Sequence, residues 1–180
     1  MSHKKLGFYL LVFFFAVPLT MLIHEGGHFL AGEILGNPME MDLNNSRPVH
    51  GYYLEPWHSP VVAAFGSVFS LAQAFFFWLI LKRKNSIFLY PFLFFPGFYR
   101  VLPYVITMGD PQQRMLQDKG QVSFFLGVSP WVLIFPYLFI ITYLVFSGSR
   151  KLKVKWQLNL LSVIFSFLLT VLWLQINHIL

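Results

Sequence analysis

His24, Glu25 and His28 stand in the order H-E-G-G-H, which fits H-E-x-x-H. On a helix the two histidines are four residues apart and share a face, so both imidazoles can reach one metal ion. Glu25 projects beside them without occupying a ligand position. A zinc ion held there lowers the pKa of a coordinated water toward ~7 and polarises a carbonyl, while the glutamate takes and returns a proton. Gly26 and Gly27 are poor helix formers, and their presence predicts a close approach of another backbone, from a neighbouring helix or a substrate.

The elements that must carry this motif belong to a membrane. Of the 180 residues 57% are hydrophobic, 11% are charged and 22 are Phe. Soluble domains carry about 25% charged residues, and a soluble fold of this size leaves roughly a third of its chain surface in water. Soluble enzymes, disordered tails and nucleic-acid modules are excluded. The absence of cysteine removes disulfides, thiolate nucleophiles and Cys-ligated zinc. A spanning helix needs about 20 apolar residues, and five runs qualify: 6–35, 61–81, 87–108, 122–146 and 156–180. The expected fold is an all-α polytopic integral membrane protein of about five transmembrane helices, forming one domain over 1–180. Asn37-Pro38 is the expected stop of the first helix, and Ser59-Pro60 the expected start of the second. Pro91, Pro96, Pro103 and Arg100 interrupt the third run.

Five crossings place Lys4, Lys5, Lys82, Arg83, Lys84, Arg150, Lys151, Lys153 and Lys155 on one side, against Arg47, Arg114 and Lys119 on the other. The positive-inside rule makes the first side cytoplasmic. The net charge of +6 is therefore a topology signal, with attraction to anionic lipid as a by-product. The expectation is a multi-pass protein of the cell membrane, N-terminus in the cytoplasm, with the histidines toward the opposite face.

A catalytic zinc needs a third protein ligand and an open position. Glu33 is nine residues beyond His24 on the same rigid helix, about 13 Å away along the axis, and is too far. Asp110 sits at the far end of the third run, on the side of the histidines, and is the favoured third ligand; His50 and His58 are the alternatives. Gly109-Asp110-Pro111 also reads as a turn at a helix end. Arg100 is a candidate to polarise a substrate oxyanion, the simpler reading being a structural ion pair with Glu25 or Asp110.

The stretch from Ile23 to Pro38, I-H-E-G-G-H-F-L-A-G-E-I-L-G-N-P, resembles the site-2 proteases, a family of intramembrane zinc metalloproteases with H-E-x-G-H followed by small and aliphatic residues. Arg100-Val101-Leu102-Pro103 leading to Gly109-Asp110 is similar to the family's N-x-x-P…D-G element, with Arg100 in place of the asparagine; the aspartate of that element is the third zinc ligand. The resemblance touches two of the five runs. It implies one catalytic zinc, cleavage of a membrane-protein or peptide substrate in or near a transmembrane segment, and a short re-entrant β element within 37–60 that pairs with an unwound substrate. Val49 to Leu54 is the expected strand. Tyr52, Tyr53 and Trp57 read first as an interfacial aromatic belt. Two rivals are a zinc or divalent-metal transporter, which also uses H-E-x-x-H but needs further polar sites on neighbouring helices, and a non-catalytic relative that binds membrane partners, against which the intact Glu25 argues.

Overall fold

A computed structural model describes residues 2–107 and 109–179, without the side chains of Ile106, His178 and Ile179. The chain runs α1 (His3–Ile34), β1 (Met39–Met41), β2 (Ser46–Pro48), α2 (His58–Arg83), α3 (Tyr90–Ile106), α4 (Pro111–Leu116), α5 (Asp118–Leu126), α6 (Pro130–Lys151) and α7 (Trp156–Ile179). It is an all-α polytopic membrane protein with one small two-stranded sheet. Among the described residues four helices, α1, α2, α6 and α7, are long and apolar enough to cross a membrane.

The third expected span differs from these four. Helix α3 has 17 residues, about 26 Å, and follows a single 3-10 turn at Ile87–Leu89. Prolines at 96 and 103 lie inside it, and each removes a rung of the backbone ladder. Pro96 leaves the Phe92 carbonyl without its usual donor. The Gln73 side-chain amide supplies one at 3.4 Å and also donates to Thr20 Oγ1 at 2.8 Å. The expected fourth span starts later than its hydropathy suggests. Helix α5 ends at Gly127, whose φ of +66° closes the turn, and Pro130 opens α6.

Helix α1 explains the core. Tyr9, Phe13, Val17 and Met21, spaced by four, are fully buried, and the same stripe continues into His24 and His28. The ring of Phe13 meets Phe94, Phe95 and Phe165 at centroid separations of 6.0 to 6.4 Å. The helix stops at Gly36, with φ +80°, where the amides of Gly36 and Asn37 close onto Glu33 and Gly32. Gly36 therefore ends the helix one residue before the expected Asn37-Pro38 stop. Helix α2 starts at His58 rather than Ser59, with Trp57 as a cap that makes no side-chain bond.

The strand falls just before the expected Val49–Leu54. Strands β1 and β2 pair antiparallel with Met39 opposite Pro48 and Met41 opposite Ser46. Beyond them Gly51, at φ +77°, turns the chain back with its amide on the Pro48 carbonyl. A residue run that must turn at its centre cannot continue a strand.

The two ends of the bundle are distinct. Tyr9 to Ser162, Tyr90 to Asn159 and Trp78 to Ser147 join α1, α2, α3, α6 and α7 at the end that carries the nine basic residues. Lys151 there donates to the Lys82 carbonyl. His24, the hairpin and α5 lie at the other end.

Candidate metal centre

Glycines make the room for the histidine pair. A Cβ on Gly66 of α2 would fall 2.2 Å from His28 Nε2 and 2.6 Å from His24 Cε1, and a Cβ on Gly27 would fall 2.8 Å from the Phe65 carbonyl oxygen. The close approach expected from Gly26 and Gly27 is thus met at Gly27 by a neighbouring helix. Gly26 has open space above it.

Both imidazoles are oriented through Nδ1. His28 Nδ1 lies 2.7 Å from the Val62 carbonyl, which can only accept, so it carries the proton. His24 Nδ1 lies 3.0 Å from Ser70 Oγ, and Ser70 donates its own proton to the Gly66 carbonyl at 3.2 Å. His24 Nδ1 is therefore also a donor. This assigns the tautomer of both rings and leaves an Nε2 lone pair on each. The two Nε2 atoms face each other at 3.0 Å. Two facing lone pairs at that distance repel unless a cation lies against them.

The carboxylate of Asp118, first residue of α5, lies against the pair, with Oδ2 3.4 Å from His24 Nε2 and Oδ1 3.7 Å from His28 Nε2. His24, Glu25 and His28 form a buried group that could hold a metal ion. Glu25 is at the edge of the set, Oε1 lying 3.9 Å from His24 Nε2.

Asp110, the favoured third ligand, does something else. It is exposed and caps α4, its Oδ1 accepting from the amides of Gln112 and Gln113 at 2.9 and 3.2 Å. The turn reading of Gly109-Asp110-Pro111 is the one realised, because an aspartate before a first-turn proline satisfies amides that have no helical partner. The alternatives are also placed elsewhere. His50 is exposed beside Tyr52. His58 is buried with Nδ1 3.0 Å from Asn37 Nδ2, and Asn37 Oδ1 in turn accepts from the Leu54 amide. Asp118 was missed, although it precedes the fourth apolar run by four residues, on the membrane side already assigned to the histidines.

Three cationic or polar groups surround Asp118. Arg100 Nη1 lies 3.2 Å from Asp118 Oδ2 and 2.7 Å from His24 Nε2, with the guanidinium over the Tyr99 ring. Arg100 is thus in an ion pair, with Asp118 rather than Glu25 or Asp110. Ser67 Oγ donates to Asp118 Oδ2 at 3.2 Å and accepts from Lys119 Nζ at 2.9 Å. The ammonium of Lys119 is buried 3.5 Å from the centre of the Tyr137 ring. Burial pushes its pKa down to about 7, against the pull of Asp118.

A cavity of about 530 Å³ opens onto the histidines and Glu25. The hairpin contributes Asn44, Asn45 and Ser46 to its wall, and the helices contribute Arg100, Gln117 and Gln121. Ser46 Oγ bonds the Glu25 carbonyl at 2.9 Å, and Asn44 Oδ1 accepts from the Tyr99 hydroxyl at 2.9 Å. Of the three aromatic residues in the loop, Tyr53 lines the cavity, while Tyr52 and Trp57 are exposed. No family model matches the chain, and neither a curated protein nor a solved structure matches it.

Proposed function

We propose that this chain is a zinc-dependent endopeptidase that cleaves a membrane protein in or near its transmembrane segment. The observation that carries the reading is the pair of histidine lone pairs, 3.0 Å apart, facing the Asp118 carboxylate at the bottom of a cavity that Glu25 also lines. His24, His28 and Asp118 would hold the ion. Zinc bound there would supply a water acidic enough to ionise near neutral pH and a Lewis acid for a peptide carbonyl.

Glu25 acts as the general base and then as the general acid. It takes a proton from the water as oxygen adds to the carbonyl carbon, and returns it to the amine as the C–N bond breaks. Arg100 also lines the cavity, and a guanidinium released there would stabilise an oxygen that gains negative charge in the transition state. Substrate carbonyls in a helix are already hydrogen-bonded, so a cleavable segment must unwind first. The amides and hydroxyl of Asn44, Asn45, Ser46 and Gln121 give such a freed backbone new partners. Applied to the two ends of the bundle, the positive-inside rule puts the N-terminus in the cytoplasm and the site toward the opposite face.

Purified Glu25→Gln tests the assignment. It is expected to retain zinc and to lose about 10²–10⁴-fold in cleavage of a co-expressed membrane substrate. Cleavage at the wild-type rate would refute the mechanism, and zinc flux into liposomes without proteolysis would favour transport.

A further inference from the structure

Arg100 touches two of the three donors of the candidate metal centre with one atom. Its Nη1 is 2.7 Å from His24 Nε2 on α1 and 3.2 Å from Asp118 Oδ2 on α5. Those two acceptors are themselves 3.4 Å apart. Nη1 thus bridges one edge of the triangle a metal would span, and it uses the His24 lone pair that a metal would need.

We propose that Arg100 is a positioning residue whose guanidinium competes with zinc for His24 and Asp118, so that zinc enters only as this guanidinium leaves. The inference rests on the metal reading above and adds what governs loading of that site. The positive Nη1 lies against both Asp118 and one of the two facing lone pairs, and so ties α1 to α5. A lone pair cannot serve Arg100 and a metal at once, which makes the two cations competitors for His24 Nε2. The Arg100 Nε is buried with no hydrogen-bond partner among the described residues, and the guanidinium lies over the face of Tyr99 at 4.2 Å. When it swings out, the bonds broken are the two that Nη1 makes to His24 and Asp118.

Competition of this kind lowers apparent zinc affinity by the fraction of molecules whose site is open. The test uses the purified full chain in nanodiscs, zinc alone as probe, and a chelator series for affinity. Arg100→Met and Arg100→Lys are both expected to bind zinc about tenfold or more tightly than wild type. The lysine keeps the charge but ends short of the bridging position, so it separates occupancy from mere repulsion. Zinc uptake by wild type is expected to level off with zinc concentration, as release of Arg100 becomes limiting, and to rise linearly in both variants. An Arg100→Lys affinity equal to wild type, or uptake by wild type that stays linear, overturns the proposal. If wild type and both variants all fail to bind zinc, the metal reading itself fails and the proposal with it.

Discussion

At the basic end of the bundle, Tyr9 and Phe13 are fully buried among aromatic rings from α3 and α7, and the side-chain bonds that tie the helices there, Tyr9 to Ser162, Tyr90 to Asn159 and Trp78 to Ser147, join neutral groups. At the other end, His24, His28, Asp118, Arg100 and Lys119 meet within one polar cluster, covered by a hairpin and two short helices. Lipid is as apolar as a leucine side chain, so the first end is held by dispersion and close fit rather than by escape from water. The second end spends that stability on groups whose charges must balance. Aromatic packing and the polar cluster thus occupy opposite ends of the same helices, and α1 contributes to both along one stripe.

Mutations at the two ends should therefore fail differently. Phe13→Ala leaves a void at the contact of three rings and is expected to cost about 3 kcal/mol, while the zinc stoichiometry of the folded fraction stays unchanged. Thermal unfolding combined with metal analysis checks both halves, and loss of zinc in proportion to stability would erase the division. Asp118→Asn should weaken zinc retention by about 10–100-fold in a chelator titration, with little change in helix content. Tyr9→Phe removes one neutral hydrogen bond and should cost about 1 kcal/mol with no effect on zinc. Asp110→Asn sharpens the contrast at the smallest scale. Asparagine caps a helix as well as aspartate does, so stability should move by a few tenths of a kcal/mol and zinc retention not at all. A fall in zinc retention there would return Asp110 to the site.

Much of this division was legible in the sequence. The apolar runs and the nine basic residues predicted which helix ends lie together, and H-E-G-G-H located the buried histidine pair. The third donor was harder because it depends on a turn. Helix α4 has six residues, too few for a hydrophobic period to show, so the chain between 108 and 122 read as a loop with Asp110 as its prominent acid. In the fold, Gly120 lets α5 fold back against α4, where a Cβ would strike the Arg114 carbonyl oxygen at 2.2 Å, and this brings Asp118 inward. Arg100 was recognisable as a charge in need of a partner, but the partner lies 18 residues away and across that turn. The strand was displaced from its expected place for a similar reason, since Gly51 turns where β-forming residues suggested continuation.

The prolines of α3 have a mechanical consequence. Arg100 stands between Pro96 and Pro103, in a stretch of helix that has lost two of its internal ties and leans on Gln73 for one substitute. Such a stretch bends more easily than a fully bonded rod. On the proposal above, displacement of Arg100 would then draw on flexing of the backbone that carries it as well as on its own side-chain torsions. A stiffer α3, with both prolines replaced, would hold the same residues in the same places and exchange its cation more slowly.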